Sequence, residues 1–90
     1  MGYRRLPSPD EFPTACWFEA PDGTQIHLSQ DPDHRPAARA HVAVVVDDVT
    51  ALRSHLAQLD QPHEVVERPD ITVVLCTDPA GNRWELRSRA

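Results

Sequence analysis

The sequence predicts an α+β domain in which one complete β-α-β-β-β unit follows the closing strands of a second, N-terminally incomplete one. Three observations carry this expectation. A valine-rich run at 42–46 leads into an Asp-capped helical stripe, and further β-rich runs follow the helix. Two short runs before it are joined by Ala20-Pro21-Asp22-Gly23, a hairpin turn in which proline presets one dihedral and glycine allows positive φ. Finally, Pro21, Gly23 and Leu28 recur as Pro79, Gly81 and Leu86, each displaced by 58 residues.

Each element has a local reason. Prolines at 7, 9 and 13 favour an irregular path over residues 1–13, with a short strand only at Tyr3 to Leu6. Thr14 to Glu19 and Thr24 to Ser29 form the first hairpin, and the polar, proline-broken stretch 31–39 reads as a linker. Residues 40–46 are apolar on both faces apart from His41, the pattern of a central strand covered on both sides. Asp47-Asp48 supplies an N-cap, and Val49, Leu52, Leu56 and Leu59 fall on one stripe of a helix over about 48–60. Glu64 to Glu67, Ile71 to Thr77 and Arg83 to Ser88 are the last strands, the final two joined by Asp78-Pro79-Ala80-Gly81-Asn82. Residues 1–30 are therefore a remnant of a first module and 40–90 a complete second one. The displacement sends His41 to a position before Met1, so the first copy's opening strand and helix are expected to be absent.

Composition narrows the function. The 90 residues carry nine basic side chains against fourteen acidic ones, a formal charge of −5, and all nine basic residues are arginines spread along the chain. No basic stripe suggests a nucleic-acid partner, and no apolar run suggests a membrane span or a signal peptide, so the chain is expected to be cytoplasmic. Cys16 and Cys76 form no disulfide or zinc framework and read as small buried hydrophobes.

Strand alternation groups the polar side chains. His41, Ala43 and Val45 share one face of their strand, Arg83, Glu85 and Arg87 one face of the last strand, and Gln25, His27 and Ser29 one face of the first hairpin. Trp84 and Leu86 turn the other way, toward the helix stripe. His34, His55 and His63 are expected to face solvent.

Three segments resemble the vicinal oxygen chelate superfamily of glyoxalase I, bleomycin- and fosfomycin-resistance proteins and extradiol dioxygenases. They are Cys16-Trp17-Phe18-Glu19-Ala20-Pro21-Asp22-Gly23-Thr24-Gln25-Ile26-His27-Leu28, His41-Val42-Ala43-Val44-Val45-Val46-Asp47-Asp48 and Asp78-Pro79-Ala80-Gly81-Asn82-Arg83-Trp84-Glu85-Leu86. The resemblance implies paired β-α-β-β-β modules whose mixed sheets curl around a shared cavity, with a divalent metal held by the first and last strands of each module. His41 and Glu85 match the ligand positions of the second module, and His27 matches the last-strand position of the first. The first module's other ligand has no counterpart.

Two histidines and a glutamate leave coordination positions open for a substrate and suit Fe, Mn, Ni, Co or Zn. The expected function is that of a glyoxalase- or dioxygenase-like domain binding a small oxygen-chelating substrate, with Glu85 catalytic as well as a ligand, and Trp17, Arg83 and Arg87 contacting the substrate. Only one of the adjacent Trp17 and Phe18 can point inward. The alternatives are a metal-free drug-binding protein of the bleomycin-resistance type and an N-terminally truncated product. Open sheet edges make a homodimer the expected assembly under each.

Overall fold

The computed structural model describes residues 2–8, 10, 11 and 14–89. Pro9, Phe12 and Pro13, part of the stretch expected to be irregular, lie outside the described residues. The chain divides into two units, Met1–His34 and Arg35–Ala90.

The first unit is an antiparallel sheet of β1 (Arg4–Leu6), β2 (Ala15–Glu19) and β3 (Gln25–Ser29), in the order β1-β2-β3. Its hairpin is closed by two turn hydrogen bonds, Ala20 N to Thr24 O at 2.8 Å and Gly23 N to Ala20 O at 3.0 Å, with Gly23 at φ 90°. That dihedral costs a residue with a Cβ about 1–2 kcal/mol, which is why glycine stands there.

The second unit runs β4 (His41–Val45), α1 (Val49–Gln58), β5 (His63–Arg68), β6 (Ile71–Thr77) and β7 (Arg83–Arg87). Its sheet order is β4-β7-β6-β5, with β4 parallel to β7 and the remaining pairs antiparallel. The Asp48 carboxylate accepts a hydrogen bond from Ala51 N at 2.9 Å, capping α1 as its sequence suggests. At the other end Gln61 N bonds to Leu56 O and Asp60 N to Ala57 O, a Schellman closure in which Asp60 takes the left-handed φ of 53° usually left to glycine.

The buried cluster of this unit is Val46, Leu52, Leu56, Val74 and Leu86, with Val44, Val49, Val65, Cys76 and Trp84 packed against it. Trp84 and Leu86 thus face the helix stripe, as alternation predicts. β4, however, is the end strand of its sheet rather than a central one, and Val42 and Val45 are 48% and 50% exposed. The run of valines misleads because a parallel strand at an edge can carry the same residues as a strand covered on both sides; periodicity does not report how many neighbours a strand has.

The 58-residue displacement holds at the level of backbone pairing. Arg5↔Phe18 becomes His63↔Cys76, Ala15↔Ser29 becomes Val73↔Arg87, and Trp17↔His27 becomes Leu75↔Glu85, all of them observed pairs. The turn repeats as well: Asp78 N bonds to Asn82 O and Gly81 N to Asp78 O, both at 2.9 Å, with Gly81 at φ 88°. The first unit is therefore a second copy of β5-β6-β7, and among the described residues it has no counterpart of β4 or α1.

Candidate functional site

The second unit brings His41 and Glu85 together. Parallel pairing of β4 with β7 sets His41 opposite Arg83 and Ala43 opposite Glu85, so His41 and Glu85 stand diagonally on one face. His41 Nε2 lies 3.4 Å from Glu85 Oε1, and Arg87 lies 3.3 Å from Glu85 Oε2. The glutamate is mostly covered, whereas His41 and Arg87 are about two-fifths exposed.

The protonation pattern of the histidine follows from its other nitrogen. His41 Nδ1 lies 3.0 Å from the Arg39 carbonyl oxygen, which can only accept, so Nδ1 carries the proton. The Nε2 atom then turns its lone pair toward a carboxylate oxygen. Two acceptors at this separation require a positive charge between them, either a second proton on the ring or a bound cation. A metal bonded at about 2.0–2.2 Å to both a histidine nitrogen and a carboxylate oxygen spans such a distance.

An open cavity of about 580 Å³ lies against this pair, lined by His41, Pro62, His63, Leu75, Cys76, Thr77, Arg83, Trp84 and Glu85. Arg83 donates to the Ala38 carbonyl oxygen at 2.9 Å, which aims one end of its guanidinium and leaves further donors. Burial first, and the Asp78 carboxylate second, push the Cys76 thiol up, so it lines the wall as a neutral thiol. His63 was expected in solvent. It is half-buried, and its Nδ1 is held 2.8 Å from Gln61 O, so its Nε2 is the nitrogen left for a ligand. Its place follows from the strand register, in which β5 pairs His63 with Cys76.

The turn before β7 holds one lining residue, Trp84, in place. Asp78 Oδ1 accepts from Ala80 N and Asn82 N, and Oδ2 accepts from Asn82 Nδ2 and Trp84 Nε1, all at 2.9–3.0 Å. Burial raises the Asp78 carboxyl, but these donors outweigh it and hold the group below its ordinary 3.8.

The remaining predicted residues lie in the first unit. His27 stacks on Trp17 with ring centroids 3.7 Å apart and planes 2° from parallel, as their cross-strand pairing dictates. Its Nε2 lies 2.8 Å from Gln25 Oε1, and Gln25 Nε2 donates to Glu19 at 3.0 Å. Because a carboxylate only accepts, Glu19 fixes the amide's orientation, and Gln25 Oε1 in turn fixes the proton on His27 Nε2. Among the described residues no three His, Cys, Asp or Glu side chains converge as a metal site. What the second unit itself brings together is the pair His41 and Glu85.

The chain, with its β-α-β-β-β unit and the partial copy before it, aligns over nearly its whole length with several solved structures. A glyoxalase family protein from Bacillus anthracis aligns over 99% of this chain and 75% of its own, at 28% identity and a TM-score of 0.83. The chain has the vicinal oxygen chelate fold. The fosfomycin resistance protein FosX from Listeria monocytogenes aligns over 98% of this chain and 74% of its own, at 13% identity and a TM-score of 0.76. A lactoylglutathione lyase from Agrobacterium tumefaciens aligns over 97% and 75%, at 16% identity and a TM-score of 0.66. No family model and no curated protein matches the sequence. Among the described residues no helix is long and apolar enough to cross a membrane.

Proposed function

We propose that the chain is a cytoplasmic, glyoxalase- or dioxygenase-like domain that binds a small oxygen-bearing molecule at a divalent metal. His41 and Glu85 supply two ligands, and His27 serves as a third once another strand surface completes the site. The observation that supports this reading best is His41 Nε2 facing Glu85 Oε1 at 3.4 Å, a separation that a bound cation can bridge. Fe, Mn, Ni, Co and Zn all accept such ligands. When bound, the metal supplies a positive charge for neighbouring substrate oxygens and for the negative charge that develops on them.

The protein's own groups have separate tasks. Arg39 O holds the His41 ring in its ligating tautomer. Arg87, expected to touch substrate, also pairs with Glu85 Oε2 and orients that carboxylate, leaving Oε1 as the atom for metal or for a substrate proton. Arg83 retains donors for an anionic substrate group, while Leu75 and Trp84 line the apolar wall. Trp17, stacked on His27, offers a flat surface in the first unit.

Metal content of the purified chain tests the reading. Near-stoichiometric metal in the native chain, lost in His41→Ala and in Glu85→Ala, is expected. No metal after reconstitution with Fe(II), Mn, Ni, Co and Zn overturns it. The Arg87–Glu85 ion pair favours one second reading, a metal-free drug-binding protein of the bleomycin-resistance type in which the carboxylate is neutralised by arginine. Small-molecule binding that survives both substitutions and a chelator distinguishes it.

A further inference from the structure

His41 and Arg83 are paired across β4 and β7, both line the cavity, and both are exposed. Exposed side chains keep their rotamer freedom unless something other than core packing holds them. Here the holders are two consecutive backbone carbonyls of the segment before β4. Arg83 donates to Ala38 O at 2.9 Å, and His41 Nδ1 donates to Arg39 O at 3.0 Å. A third contact places that segment. Gly81, in the turn before β7, has φ 88°, and the Cβ of any other residue there would lie 2.9 Å from Pro36 Cγ. Pro36 therefore occupies the space that glycine leaves open. Its ring fixes φ at the start of the segment and holds Arg35 to an extended conformation.

The repeated hairpin shows that the turn does not itself require this neighbour. At Gly23, the equivalent of Gly81, an added Cβ meets nothing within 4 Å. Gln25, the equivalent of Arg83, bonds to the Glu19 side chain.

We propose that residues 36–39 are a positioning strap for the cavity. Pro36, seated on Gly81, sets where the carbonyls of Ala38 and Arg39 stand, and these set the Arg83 guanidinium and the His41 ring as one unit. Arg83 is held at one end with further donors left for an anionic group, and His41 keeps Nε2 toward Glu85 Oε1. The strap acts through these two side chains rather than by touching a ligand. That it governs binding rests on the proposed metal and anion site, whereas its hold on the two side chains does not.

The test reads the side chains directly in the metal-free full chain, by nitrogen NMR of the His41 ring and the Arg83 guanidinium. The native chain is expected to show the His41 proton fixed on Nδ1 and a slowly exchanging Arg83 N–H. Pro36→Gly removes the ring from Gly81, and Gly81→Ala drives a Cβ against it. Both are expected to release the two side chains together: the His41 tautomers mix, and the Arg83 proton exchanges about tenfold faster or more. Gly23→Ala is the control, with the same dihedral cost and no neighbour, and is expected to change neither. Pro36 is exposed and outside the buried cluster, so Pro36→Gly decides the matter even where Gly81→Ala does not fold. Zn(II) and inorganic phosphate are then titrated separately, and each is expected to bind Pro36→Gly about tenfold more weakly, the lower end for losing a group that orients a ligand. An unchanged His41 tautomer in Pro36→Gly, a response confined to one of the two side chains, or an equal response in Gly23→Ala overturns the proposal. Released side chains with native affinities refute the strap's role in binding. A native chain that takes up no Zn(II), while Pro36→Gly still releases both side chains, refutes the metal site and supports the strap.

Discussion

The two hairpins, β2–β3 and β6–β7, share one backbone register and differ in what locks and covers them. In the second, Asp78 gathers four donors and Leu86 is 5% exposed beneath α1. In the first, the Asp78 position is Ala20, the turn carboxylate is Asp22, which accepts from Thr24 N at 2.9 Å, and the Leu86 position is Leu28 at 45% exposure. Backbone pairing thus needs only turn chemistry and β-formers, whereas stability needs a covering layer. A copied hairpin without its helix keeps its geometry and loses its burial.

The sharpest way to break the comparison is to truncate the two equivalent leucines. Leu86→Ala is expected to cost about 2–5 kcal/mol through lost burial and a cavity. Leu28→Ala is expected to cost under about 1 kcal/mol in the isolated chain, because nearly half of its surface is already hydrated. Urea denaturation of both variants below the association range measures this, and equal costs would show that Leu28 is covered as Leu86 is.

Next in size is the Asp78 hub. Asp78→Asn is expected to destabilise by about 1.5 kcal/mol, the lower end for hydrogen bonds to a charged group that keeps some hydration. The folded carboxyl titrates below its unfolded value of 3.8, so its contribution is present above that value and is lost as pH falls through the folded one. Denaturation midpoints measured between pH 5 and pH 2 should therefore fall more steeply for the native chain than for Asp78→Asn. Asp22 is also lowered, by the backbone and side chain of Thr24, but it is fully exposed, and Asp22→Asn should leave the midpoints nearly unchanged.

The smallest contrast concerns the turn glycines. Gly23→Ala is expected to cost about 1–2 kcal/mol through its φ of 90° alone, since nothing lies within 4 Å of the added carbon. Gly81→Ala carries the same dihedral cost and places its Cβ 2.9 Å from Pro36 Cγ, so it should be the more damaging. Thermal midpoints of the pair measure the difference, and a smaller effect at Gly81 would mean that Pro36 moves aside freely.

Several features were legible because they depend on neighbours in sequence. The Asp48 cap, the helix stripe and the Pro-x-Gly turns are local, and the 58-residue displacement carried the register of one hairpin onto the other. Alternation set His41 and Glu85 each on a definite strand face, and the structure brings the two side chains within 3.4 Å. His63 was missed because its place in the cavity follows from cross-strand pairing with Cys76, and the alternation that groups Arg87 with Glu85 does not by itself show that the two form an ion pair. His27 and Trp17 were named separately, and only the pairing of β2 with β3 makes them a stacked unit.

By itself, the sequence determined the elements, the turn types and the face on which each strand sets its side chains, since these follow from period, capping and φ preference over a few residues. The tertiary structure alone decided that β4 is an end strand, that His41 presents Nε2 to Glu85, and that one copy of the hairpin is covered by α1. Those outcomes depend on which strands meet and in what register, through hydrogen bonds between residues more than forty positions apart, as in the parallel pairing of His41 with Arg83.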